Sequence, residues 1–197
     1  GCTTSFTPAS GLGVYDITMW LDQTNPEDVT SNDSAYSFIE VTDYTYSRDN
    51  DDVNGAISAV SSNPEGALMI GNVFEVFADG VIGAIDIAIS DAATNEGQLV
   101  YAQVYRFDGT DYIYVEATDD YTIGAGDVDN WMKLTLNNPV DVATGDDLLI
   151  VAGHYGGTDP VEFYMAQGVD EGTVLGYIDG SLFQLTSPQA IMVRADM

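Results

Sequence analysis

The chain's 197 residues, 45% hydrophobic and 11% aromatic, suffice for one large sandwich or two small domains and are too apolar for a disordered acidic tail. Thirty-two Asp and Glu stand against four basic residues, Arg48, Arg106, Lys133 and Arg194, for a formal charge of −28. That charge repels nucleic-acid phosphates and anionic lipid headgroups, argues against membrane insertion together with the absence of any run of about 18 apolar residues, and attracts cations.

In chain order, Gly1-Cys2 resembles the end of a lipoprotein signal, with a plain N-terminal thiol as the alternative reading. The absence of an initial Met reads as a processed, trimmed or excerpted chain. As the sole cysteine, Cys2 allows neither an intramolecular disulfide nor a thiolate zinc cluster. VYDITMWL alternates Tyr15, Ile17, Met19 and Leu21 with Asp16, Thr18 and Trp20, the pattern of a half-buried strand. A polar loop, DQTNPEDVTSND, separates it from a second strand, AYSFIEV. Beyond Asp43 the pattern dissolves into Ser, Asn, Asp and Gly, the composition of a connection, with at most a helical turn in NGAISAV.

Strand signals return after Gly66. ALMIGNVFEVF is a long apolar run with an expected bend at Gly71. VIGAIDIAIS sets Ile85, Ile87 and Ile89 on one face, and WMKLTL sets Met132, Leu134 and Leu136 opposite Trp131, Lys133 and Thr135. QLVYAQVYRF and YIYVEA flank DGTD, a strong hairpin signal. With DLLIVAGHY, VEFYMAQ, GYIDGSLFQL and AIMVRADM, about eight short strands with turns every 8–12 residues predict a two-sheet sandwich. The expected fold is all-β: a jelly-roll-like antiparallel sandwich over 66–197, preceded by a strand pair over 1–45 and an acidic linker over 46–65.

FTPASGLGVYDITMWLDQTNPEDVTSNDSAYSFIEVTD resembles the last two strands of an immunoglobulin-like module of large bacterial surface proteins. YTYSRDN resembles the junction that follows such modules in secreted proteins of the Bacteroidota. IGNVFEV, VYAQVYRFDG, DDYTI, WMKLTLNNPVDVATGDDLLIVAG and AIMVRADM resemble the β-sandwich that often comes next, before a sorting domain of the type IX secretion pathway. The resemblance is diffuse and carries no catalytic signature. It implies secretion, residence at the cell surface or in the extracellular matrix, and a chain that is part of a longer protein.

Candidate chemistry is sparse. NDDVNGAI places Asn50, Asp52, Asn54 and Gly55 at positions 1, 3, 5 and 6 of an EF-hand-like Ca2+ frame, but Ser61 stands where a bidentate Glu belongs; a solvated interdomain loop is the alternative. Asp127 and Asp129 in GAGDVDN form a second candidate Ca2+ loop, and ATGDDL a third. His154 is the only histidine and no Gly-x-Ser-x-Gly elbow accompanies it, so neither a multi-histidine zinc site nor a serine triad is expected. Aromatic residues are the better lead. Tyr101 and Tyr105 share one strand face, Tyr112 and Tyr114 the next, and with Trp131 (or Trp20) they would form a platform for sugar rings; a core or subunit contact is the alternative.

The favoured sequence reading is a non-catalytic extracellular structural or adhesive module. It would self-associate, or bind neighbouring surface-protein modules, through strand addition by its N-terminal pair, with Ca2+ as a cross-linker. The rival is a polysaccharide-binding module accessory to an enzyme in a longer secreted protein. An enzyme in its own right is a remote third.

Overall fold

The structure, a computed structural model, describes residues 13–20, 34–41, 45–58, 65–167, 173–178, 181–185 and 189–197. Cys2, the polar loop 22–33 and residues 59–64 lie outside them. The chain divides into two units, residues 1–44 and 45–197. In the first, β1 (Gly13–Trp20) pairs antiparallel with β2 (Ser34–Val41), Gly13 opposite Val41 and Trp20 opposite Ser34. Two strands bury little: Tyr15 and Ile17 are half-buried, while Val14, Met19, Trp20 and Tyr36 are exposed.

Fourteen strands follow: β3 (Thr45–Tyr46), β4 (Val53–Ile57), β5 (Leu68–Glu75), β6 (Gly80–Ile89), β7 (Leu99–Phe107), β8 (Tyr112–Ala117), β9 (Tyr121–Thr122), β10 (Asn130–Val142), β11 (Asp147–His154), β12 (Phe163–Gln167), β13 (Val174–Ile178), β14 (Ser181–Gln184), β15 (Gln189–Ile191) and β16 (Val193–Asp196). They form two antiparallel sheets. The first runs β15-β12-β6-β16-β3, with β10 on β6 and β4 on β12. The second runs β14-β13-β5-β11-β7-β8, with β9 on β7.

The period-2 pattern explains how the sheets close on each other. Ile85, Ile87 and Ile89 of β6 and Met132, Leu134 and Leu136 of β10 point into one core. Leu68, Ile70 and Phe74 of β5, Val100, Ala102 and Val104 of β7, and Leu148, Ile150 and Ala152 of β11 meet them from the second sheet. At about 2 kcal/mol for each large aliphatic side chain, this layer is the main stabilising term. One polar side chain crosses it: Asn72 of β5 donates to the Ile191 carbonyl (2.7 Å) and accepts from the Ile191 N–H (3.1 Å), tying the sheets together. The β7–β8 hairpin turns on Asp108, whose carboxylate accepts from the Thr110 and Asp111 N–H groups at 2.8 and 2.9 Å, with Gly109 at φ +99°.

Two local expectations need correction. β5 runs unbroken through Gly71, which is required for another reason: a Cβ there would lie 1.7 Å from the Ile150 carbonyl oxygen of β11. The stretch 46–65, expected as a linker with a helical turn, supplies β4 and half of β3 to the first sheet. Backbone pairing with β16 and β12 outweighs its turn-like composition, and an ion-pair clamp holds it. The Arg194 guanidinium of β16 donates through Nε to Asp49 (3.0 Å), through Nη2 to the other Asp49 oxygen, and to Asp51 at 2.5 Å. Its other side lies over the Trp131 ring, 4.1 Å from the centroid. The Asp49 side chain is fully buried.

Removing the cation while keeping the hydrophobic stem should strand that buried carboxylate. Arg194→Met is expected to cost about 3 kcal/mol, read as a lower urea midpoint at unchanged slope. An unchanged midpoint would mean that the 46–58 segment is not held by this pair.

Candidate functional site

On the outer face of the second sheet, the strand registers line up residues in rows. Glu75, Asp147, Phe107 and Tyr112 make one row across β5, β11, β7 and β8, by the Glu75–Asp147 pairing, the β11–β7 register and the Phe107–Tyr112 pairing. Val73, Leu149, Tyr105 and Tyr114 make the next. Further along, Tyr177, Met69, Gly153 and Tyr101 share a row across β13, β5, β11 and β7. Among the described residues of the second unit, no strand layer covers this face, yet Leu149 and Val151 of β11 are fully buried.

Tyrosine rings gather on the same face. Tyr105 stacks on Tyr177 (centroids 5.5 Å apart, 27° between planes) and meets Tyr114 edge-on at 6.0 Å. Its hydroxyl donates to Gln103 Oε1 (2.6 Å). Tyr101 packs against Tyr155 at 5.0 Å, and Phe107 against Tyr112 at 5.2 Å. Gly153 makes room: a Cβ there would sit 2.5 Å from Cζ of Tyr101. Burial raises the Tyr101 and Tyr105 hydroxyls to about 12, so both stay neutral donors at any ordinary pH.

The structure therefore brings Tyr101, Tyr105, Tyr112 and Tyr114 onto one face, and adds Tyr155, Tyr177 and Phe107, which sequence reasoning did not select. Their strands lie far apart in sequence; the available signal was a tyrosine next to glycine in GYIDG and in HYGG. Tyr101 itself is largely buried beneath its neighbours and supports the platform, whereas Tyr114 and Tyr155 are more than half exposed. Trp131 is not part of this platform. It lies on the outer face of the first sheet, packed near Ala88, Ala166 and Met192 and capped by Arg194. β10 directs Met132 inward, and the alternation sends Trp131 to the opposite side of the sandwich from the tyrosines. Trp20 belongs to the separate hairpin unit.

Four of the five candidate Ca2+ residues have side chains engaged in local structure, and Asp52 is bonded through its backbone N–H. The Asn50 side chain accepts from the Asp52 N–H (3.1 Å), and Asn54 donates to Gln167 (2.8 Å). Asp127 accepts from the Tyr121 hydroxyl (3.0 Å) and the Gly124 N–H (2.8 Å), and Asp129 from the Tyr164 hydroxyl (2.6 Å). Among the described residues, no three His, Cys, Asp or Glu side chains converge as a metal site would require.

His154 is almost fully buried at the end of β11. Its Nδ1 accepts from the Gly156 N–H (2.9 Å), so Nε2 carries the proton and donates to the Ser58 carbonyl. Both nitrogens are thus bound to backbone, and burial lowers its pKa below the ordinary histidine value. A cavity of about 240 Å³, lined by Gln98, Leu99, His154, Tyr155 and Val161 among others, opens beside Tyr155, whose hydroxyl donates to Asp120 (2.6 Å).

No protein-family model matches the chain, and no curated protein matches it. Solved structures that share the fold include two of one protein. One is the clostridial cysteine protease Cwp84 after propeptide cleavage, with a TM-score of 0.59 and 9% identity over 85% of this chain and 44% of that one. The other holds the cysteine protease and lectin-like domains of Cwp84, a surface layer associated protein of Clostridium difficile, with a TM-score of 0.54 and 9% identity over 85% of this chain and 39% of that one. The chain spans less than half the length of either.

Two outcomes check the site's construction. Gly153→Ala should force Tyr101 off β11 and cost roughly 1–3 kcal/mol, with an altered near-ultraviolet tyrosine signal; an unchanged spectrum would mean that the ring does not lie over the glycine. The second concerns pH. Because the folded pKa of His154 is depressed, the unfolded chain binds the extra proton first, and stability is lost as pH falls below the unfolded value of about 6.5. The unfolding free energy should decline between pH 7 and about 5.5 by at most about 1.4 kcal/mol per pH unit, and His154→Gln should flatten that slope. A slope that survives the substitution would assign it elsewhere.

Proposed function

We propose that this chain is a non-catalytic extracellular module that binds polysaccharide through the tyrosine face of its second sheet. The observation that carries the reading is the gathering of Tyr105, Tyr112, Tyr114, Tyr155, Tyr177 and Phe107 on one sheet face, with Tyr114 and Tyr155 more than half exposed. Half-exposed rings with neutral hydroxyl donors suit pyranose rings, which have an apolar face for stacking and hydroxyls at the rim. The lectin-like and surface-associated description of the neighbour sharing the fold supports both the ligand class and the location. The backbone-bound state of His154 supports the non-catalytic part, since it leaves the chain's single histidine with no role as a general base.

A second reading keeps the strand-addition hypothesis: among the described residues, β1 and β2 form a two-stranded sheet with exposed Trp20, Met19 and Tyr36. Such a hairpin has edges suited to pairing with another chain, and this function would use a different unit from the tyrosine face.

Tyr114→Ala and Tyr155→Ala should each weaken retention on a polysaccharide matrix about tenfold, or about 1.4 kcal/mol, the scale of one aromatic contact. Affinity electrophoresis across a panel of soluble polysaccharides measures this, with Trp20→Ala as a variant expected to bind as wild type. Equal mobility of all variants on every polysaccharide would overturn the reading.

A further inference from the structure

Resting on the polysaccharide reading, we propose that the tyrosine face takes a specific class of glycan, a polymer of amino sugars carrying free ammonium groups. The argument is charge complementarity at the face. Glu75 and Asp147 stand directly opposite each other on neighbouring strands, both exposed, in the same row as Phe107 and Tyr112. Like charges in that relation repel, and neither carboxylate has an ion-pair partner among the described residues. At the other end of the face, Asp120 holds the Tyr155 hydroxyl. Asp111, in the β7–β8 turn, acts electrostatically on Tyr177.

Three of the four cations that could offset these groups are committed to other carboxylates. Arg106 lies 3.2 Å from Asp146, Lys133 bridges Asp86 and Asp196, and Arg194 holds Asp49 and Asp51. Arg48, whose field reaches Tyr112, bonds the Val73 carbonyl and lies 5.9 Å from the centre of the Phe74 ring. These are all four basic side chains in the sequence.

The possible occupants then separate by charge. A uronate or sulfated glycan meets the Glu75 and Asp147 carboxylates, with the field of Arg48 at Tyr112 as the offsetting charge. A second copy of the chain brings another −28. A neutral sugar stacks on the rings and leaves the Glu75–Asp147 repulsion in place. A hexosamine ammonium relieves that repulsion and gains the ring faces of Phe107 and Tyr112 as well.

The test is calorimetric titration of the full chain at mildly acidic pH with glucosamine and N-acetylglucosamine oligomers of equal length. The glucosamine oligomer should bind at least tenfold more tightly. That advantage should disappear in Glu75→Gln/Asp147→Asn and persist in Asp52→Asn/Asp91→Asn, which removes the same charge from strand ends of the first sheet. Equal loss in both double variants would show attraction to the overall negative field and overturn the proposal. Equal affinity for the two oligomers, with dependence on Tyr114 and Tyr155 retained, would overturn the amino-sugar selectivity and leave the polysaccharide reading standing. Absence of binding to either oligomer, and to every polysaccharide in the panel, would overturn both.

Discussion

Charge imbalance is the constraint around which the second unit is built. Four cations among 32 carboxylates cannot neutralise a surface, so each is placed where one positive charge joins several segments. Register sets Lys133, Asp86 and Arg194 in a single row across β10, β6 and β16, alternating in sign. Lys133 adds Asp196 of β16, and Arg194 adds Asp49 and Asp51 from the chain entering the sandwich. Arg106, at the end of β7, reaches Asp146 in the β10–β11 connection and the Asp141 carbonyl of β10. Scattered over the surface, the same four charges would contribute little. Three of them are set against carboxylates, and Arg48 against the Val73 carbonyl, so that each joins separate segments.

This placement makes the two outer faces chemically unlike. The first sheet carries the Lys133–Asp86–Arg194 row and Trp131 under a guanidinium, a face whose polar groups are paired with one another. The second sheet carries rings and unpaired carboxylates. Its strand β11 is apolar on both faces, as the run LLIVA requires, and would normally need a third layer of structure. Here tyrosines from β7, β8 and β13 gather on the face that also holds the fully buried Leu149 and Val151. Side chains that serve as a layer leave their outer surfaces free, which separates a binding platform from a core.

The fold was legible in the sequence where alternation is strict. Ile85, Ile87, Ile89, Met132, Leu134 and Leu136 announce their face by period alone, and the Asp108–Gly109 turn announces its hairpin. The 46–58 segment was not legible, because its strands are short, its residues favour turns, and its partners lie more than a hundred residues away in β12 and β16. Local composition cannot report a clamp whose cation is Arg194. The same limit applies to the site. Tyr101, Tyr105, Tyr112 and Tyr114 could be placed together because a hairpin joins them. Trp131 could not be assigned to a sheet without the strand order, and Tyr177 reaches the platform only because β13 follows β5.

The tyrosine face also gives the net charge a role beyond solubility. An uncovered aromatic surface invites association with any other apolar surface, including that of a second copy. A charge of −28 on each copy opposes that encounter at every orientation. The repulsion acts over roughly a Debye length, about 10 Å at 0.1 M salt, and is weakest in saline media. A neutral or cationic chain of sugars feels none of it. On the proposed reading, the acidic surface and the aromatic face would act as one filter: charge would turn away proteins and polyanions at a distance, and the rings would hold the sugars that reach contact.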